Sequence, residues 1–204
     1  MTQTRTPDKW LMLAISMLGQ VGGTVFVNGA PFLIPFLRDD RGLSLREAGV
    51  VVAAPFVGVM VSLVVWGLIV DRIGERLSLT IGLAIVTAGA VGAALSSSLT
   101  AMGLWFLLGG IGAGSTNSAS GRVVVGWFPP DRRGTAMGIR QTALPLGVGT
   151  AALLVPNVVE AEGLRATLLI VAGIALAAAV LCATLVVDPP RPTRAEAADT
   201  GQLD

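Results

Sequence analysis

The ten residues Gly67-Leu68-Ile69-Val70-Asp71-Arg72-Ile73-Gly74-Glu75-Arg76 decide how this chain is read. They form a short charged turn between two uncharged stretches, 48–70 before it and 77–121 after it. Two glycines permit a tight reversal, and the charges fall where one helix would end and the next begin. The 23 uncharged residues of 48–70 match the roughly 20 that a helix needs to cross a bilayer. The 45 that follow are too many for one crossing, and Ser96-Ser97-Ser98 divides them into 19 and 23.

Working outward, residues 10–37 are uncharged for 28 positions, 141–159 for 19 and 166–187 for 22. Six transmembrane helices are therefore expected, in an all-α domain over residues 10–187. Composition agrees: 53% of residues are apolar, 13% are charged and mean hydropathy is +0.76, against about a quarter charged in a soluble domain. The bilayer is the expected solvent. A net charge of +1 argues against a nucleic-acid partner. The single cysteine, Cys182, excludes an internal disulfide and any cysteine-built metal site. With no histidine in the chain, an intramembrane serine protease has no base for its nucleophile. Neither a Walker-type phosphate loop, nor the repeated motifs of mitochondrial carriers, nor the N-P-A boxes of water channels is present. No enzymatic activity, cofactor or metal is expected.

Basic residues set the expected orientation. With residues 1–9 in the cytoplasm, that side holds Arg5, Lys9, Arg72, Arg76, Arg122, Arg132, Arg133, Arg191 and Arg194. The other side holds Arg38, Arg41, Arg46 and Arg165. This excess places both termini in the cytoplasm of a multi-pass inner-membrane protein. The first apolar span is too long for a cleaved leader and is read as helix one. Residues 188–204, rich in Pro, Ala and charge, read as a disordered cytoplasmic tail.

The pattern G-x-x-x-D-R-x-G-x-R resembles the loop between the second and third helices of the major facilitator superfamily. A second stretch, Trp127-Phe128-Pro129-Pro130-Asp131-Arg132-Arg133-Gly134-Thr135-Ala136-Met137-Gly138, is similar to the link after the glycine-rich fourth helix of that family. The resemblance implies a secondary transporter and covers most of residues 60–150. Two departures stand out: Glu75 occupies a place where the family usually has a base, and Trp105 one where many members carry arginine. Six helices would be half of the family's twelve, itself two inverted three-helix units, residues 1–97 and 98–204. A faint internal echo sets Ala48, Gly49, Pro55 and Gly58 beside Ala136, Gly138, Pro145 and Gly147. By the resemblance, Gly67, Asp71, Arg72, Gly74 and Arg76 form a conformational latch, with Asp71 docking on the eleventh helix of the other half. The counterpart of that helix here begins at Arg133-Gly134-Thr135. Two copies are thus expected to associate through Asp71 and Thr135; the other reading of the turn is a hydrated loop.

Candidate path residues come from polar positions inside the spans. Gln20, Thr24 and Asn28 repeat at i, i+4, i+8 in helix one, and Ser115, Ser118 and Arg122 share a face of helix four with Asn117 nearby. A polar stripe in lipid must face protein or water. Both readings, a solute path and interhelical hydrogen bonding, are open. Arg122 and Arg140, the latter followed by Gln141, lie at similar depth on antiparallel helices. Two guanidinium groups in one layer could clamp an anion; snorkelling, or pairing with Asp71 or Asp131, is the alternative. The Gly110-x-x-x-Gly114 pattern reads as close helix packing. No carboxylate lies well inside a span, so proton coupling has no evident carrier. The expected function is transport of a small, anionic solute by alternating access, with a second copy or another six-helix half; a non-transporting or truncated fragment of a twelve-helix transporter is the alternative.

Overall fold

A computed structural model describes residues 8–189, so Arg5, Arg191, Arg194 and tail residues 190–204 lie outside the described residues. All regular structure among them is helical. Helix α1 (Lys9–Gly29) continues through a 3-10 turn (Ala30–Leu33) into α2 (Ile34–Asp39). Then come α3 (Leu45–Ile73), α4 (Glu75–Leu95), α5 (Leu99–Trp127), α6 (Pro130–Gln141) and α7 (Ala143–Leu185). Five segments are long and apolar enough to cross a membrane: Lys9–Asp39, Leu45–Ile73, Glu75–Leu95, Leu99–Trp127 and Pro130–Leu185.

The boundaries follow from local chemistry. Asp8 caps α1 by accepting from the Trp10 amide, and Ser98 caps α5 by accepting from Ala101. At α3, Ser44 and Glu47 cap each other reciprocally. Helix α5 ends at Phe128-Pro129, where Arg133 donates to the Phe128 and Val125 carbonyls. The charged turn is no more than Gly74, with φ 92° and ψ 171°, a region open essentially only to glycine. Gly163 interrupts α7 in the same conformation, φ 78° and ψ 174°. Below it, Gly147 meets Thr24 and Val155 meets Gly29, so this limb runs along α1 in the same direction. Above it, Ala178 meets Gly22 and Cys182 meets Gly19, so the second limb runs the opposite way.

Helix α5 is the hub, packed on α3, α4 and α1, while α7 packs on α1 and α4. Close approach depends on missing side chains. A methyl group added at Gly110 would strike the Pro55 backbone of α3, and one at Gly112 the Gly82 carbonyl of α4. The expected close packing at Gly110-x-x-x-Gly114 is present: Gly114 faces Ser62 and Trp66. Those two side chains both donate to the Ile111 carbonyl, at 3.1 and 2.6 Å. Phe26 and Phe106 meet edge to face at 5.7 Å in the main core. Large apolar side chains such as Met60, Val64 and Leu153 point outward, 71, 76 and 73% exposed, a surface suited to lipid or another bundle rather than water.

Candidate functional site

Helices turn 100° per residue, so α5 presents three faces to three neighbours. Ala113, Thr116, Asn117 and Ser120 lie on one, and Thr116 with Ala113 packs against Gly23 of α1. This face borders a cavity of about 360 Å³, whose polar groups are Thr24, Asn28, Thr116 and Asn117 and whose apolar wall includes Phe56, Met60 and Leu144. Three of the expected path residues, Thr24, Asn28 and Asn117, therefore share one chamber between α1, α3, α5 and the start of α7.

At one edge of that chamber lies a connected polar cluster. The Gln20 amide nitrogen donates to Asn117 Oδ1 at 3.3 Å, and its oxygen accepts from Ser120 at 3.1 Å. Arg140 Nη1 donates to that same Gln20 oxygen at 3.3 Å and to Ser120 Oγ at 3.1 Å. Its Nη2 donates to Gln141 at 2.6 Å, and Nε reaches the Met137 sulfur at 3.0 Å. Gln20 and Ser120 are buried, whereas Arg140 is half-buried. No carboxylate pairs with Arg140 among the described residues. A guanidinium held only by neutral acceptors keeps its charge available to an anion.

The other stripe does not join this chamber. Ser115 is fully buried against Gly82 of α4, and its hydroxyl finds no hydrogen-bond partner among the described residues. Ser118 donates to the Leu63 carbonyl of α3 at 3.3 Å. Arg122 donates to Asp71 at the end of α3, with both side chains about half exposed. The expected two-arginine clamp is thus corrected in favour of its stated alternative: Arg122 pairs with Asp71, and Arg140 stands alone at the chamber's edge. The physical reason is register, because Ser115, Ser118 and Arg122 sit on faces of α5 directed at α4 and α3.

The charged turn is engaged inside the chain. Besides the Asp71–Arg122 pair, the Arg76 guanidinium donates to the Ala183 carbonyl near the end of α7, at 2.8 Å. The Arg76 amide donates to Asp188 at 2.8 Å, and Gly74 leaves no room for a side chain beside that carboxylate. Arg72 is exposed, while open space surrounds the backbone of Gly67. Glu75 is buried in the first turn of α4, the positive end of its dipole. Trp105 lies flat against Gly92 of α4. Asp188 and Pro189, the first residues of the expected tail, fold back onto the bundle, with Pro189 on Gly126.

Sequence reasoning missed Thr116 and Ser120. Their signal was available in the spacing of Ala113, Thr116, Asn117 and Ser120, which shares a face with the singled-out Asn117.

The family model for the Major Facilitator Superfamily matches residues 10–202. An uncharacterized MFS-type transporter of Mycobacterium tuberculosis is 42% identical over 94% of this chain and 43% of its own length. The hexuronate transporter of Bacillus subtilis is 26% identical over 80% of this chain and 39% of its length. A crystal structure of a D-xylose-proton symporter superposes with a TM-score of 0.75 at 19% identity, covering 95% of this chain and 52% of that one. The chain spans less than half the length of the curated relatives it matches. Family model, relative and fold agree, and the chain belongs to the Major Facilitator Superfamily.

Proposed function

We propose that this chain is one six-crossing half of a solute transporter, and that it moves a small anion by alternating access together with a second six-helix half. The observation that carries the anion reading is Arg140, a cation without a carboxylate partner among the described residues, held by Gln20, Ser120 and Gln141 beside the chamber. A neutral hydrogen-bonding frame fixes the guanidinium without quenching it, so an arriving carboxylate or phosphate gains a charge-assisted, two-pronged contact. The relative named for hexuronate, a sugar carboxylate, fits this chemistry.

Six crossings, rather than five, are supported by the opposite directions of the two limbs of α7 along α1. An inverted repeat is supported by an offset of 89 positions that pairs Gly58 with Gly147, Asp71 with Glu160, Gly74 with Gly163 and Arg76 with Arg165. The paired Gly74 and Gly163 share the same rare backbone conformation. Gly58 packs on α5 and Gly147 on α1, the exchange expected when two three-helix units interlock. The turn at Asp71 and the fifth-helix start near Thr135 would meet their equivalents across the second half. By the basic-residue count, residue 8 and residue 188 face the cytoplasm of the inner membrane.

Uptake by proteoliposomes of a radiolabelled short carboxylate panel tests the reading. Arg140→Ala should abolish uptake, with Arg140→Lys retaining part of it, while Arg122→Gln should transport at near the parent rate. Undiminished flux in Arg140→Ala would remove the anion reading.

A further inference from the structure

A second cavity lies outside the solute chamber, at the end of α3 and α5 remote from the Asp71 turn. It is an open groove of about 620 Å³ between the first turns of the two helices. Its mouth carries Ser44, Arg46, Glu47 and Thr100, and its floor Val51, Ala54, Gly103 and Leu107. We propose that this groove holds one phospholipid of the leaflet remote from the Asp71 turn, with its phosphate on Arg46, its ammonium on Glu47 and one acyl chain between α3 and α5. The inference rests on the membrane-spanning reading and is independent of what the chain transports.

Three observations carry it. The first is depth: at 1.5 Å per residue, Arg46 to Ala54 on α3 descends about 12 Å and Thr100 to Leu107 on α5 about 10 Å. That is close to one leaflet of a hydrocarbon core about 30 Å thick. The second is polarity, which changes from charged at the mouth to wholly apolar below, the profile of a lipid standing in its leaflet. Val50 and Leu104 flank the groove and are 67 and 61% exposed, so it opens outward from this bundle rather than into its core.

The third is charge. Arg46 makes no ion pair among the described residues. Glu47 spends Oε2 on the Ser44 amide and hydroxyl, at 2.9 and 2.6 Å. No described donor reaches its other oxygen, which is left for an ammonium. Adjacent cation and carboxylate complement a zwitterionic headgroup with a primary ammonium, and favour it over an anionic one, which Glu47 repels. The floor is open as well: a methyl group added at Gly103 would meet only Val51, at 4.0 Å.

Native mass spectrometry of the full chain, released from mild detergent with equal dioleoyl phosphatidylethanolamine and dioleoyl phosphatidylglycerol, tests this. One phosphatidylethanolamine per chain should be retained preferentially. Arg46→Gln should lower its retention about tenfold, the loss expected for one charge-assisted contact. Glu47→Gln keeps the capping pair, since either residue serves there, and should erase the preference between the two lipids. Gly103→Leu fills the floor and should abolish retention, with an unchanged melting temperature as evidence of folding. Equal retention of both lipids by the parent chain, or retention unaffected by Gly103→Leu, would overturn the proposal. So would a dimer that Gly103→Leu dissolves, since the occupant would then be a second copy. Lipid retention is read without any flux, so failed transport and a failed groove are told apart.

Discussion

At the scale of single residues, Arg140 and Arg122 show how far a charge in a span can be read. Both were visible in the sequence as costly intramembrane cations, and one has a carboxylate partner and the other does not. Replacing Arg122 by Gln breaks an ion pair whose members are about half exposed. The expected cost is under about 1 kcal/mol, seen as a small drop in detergent melting temperature. Arg140→Ala strips partners from buried Gln20 and Ser120, which should cost about 1–3 kcal/mol in the same assay. Equal losses for the two variants would contradict the assignment. What the sequence hid was which of α5's polar residues faces inward. Asn117 and Ser118 are adjacent, yet one lines the chamber and the other bonds α3, because a single step turns the helix by 100°.

At the scale of elements, the spans were legible because lipid forces long apolar runs with polar punctuation. The charged turn, the serine turn and the capping residues all fall where composition changes. The junction at Gly163 was expected only as an interruption between 141–159 and 166–187, and a single glycine suffices there because its φ of 78° reverses the chain. Gly163→Ala should therefore destabilise by about 1–3 kcal/mol, whereas Gly149→Ala, with nothing within 4 Å of the added methyl, should be neutral or slightly stabilising. Gly110→Leu drives a side chain into the Pro55 backbone, and overpacking of this kind costs about 1–3 kcal/mol or more. Thermal unfolding of the three variants in one detergent ranks them. A destabilised Gly149→Ala beside a parent-like Gly163→Ala would contradict the assignment of the turn. The inward role of Thr116 and Ser120 was legible only through the helix face they share with Asn117, because small hydroxyl residues can satisfy themselves on their own helix, as Thr116 does with Ala113.

At the scale of the whole molecule, the hydropathy profile and two loop patterns were enough to anticipate the family, since they record solvent and topology rather than solute. The pairing of Asp71 with Arg122 was one of the readings the sequence left open; the engagement of Arg76 with Asp188, 112 positions away, was not anticipated. If the proposed second half is another copy of this chain, Asp71→Cys with Thr135→Cys should trap dimers in native membranes on mild oxidation, and Cys182, fully buried, contributes no background. Monomers alone under those conditions would assign the second half to a different chain. The central claim is the threading itself, on which the proposal of a path shared with a second half rests. Single-cysteine labelling of intact cells with an impermeant maleimide tests it most directly. Ser97→Cys and Glu162→Cys should react from outside, and Gly134→Cys only after the membrane is opened. Reaction of Gly134→Cys and Glu162→Cys from the same side would contradict it.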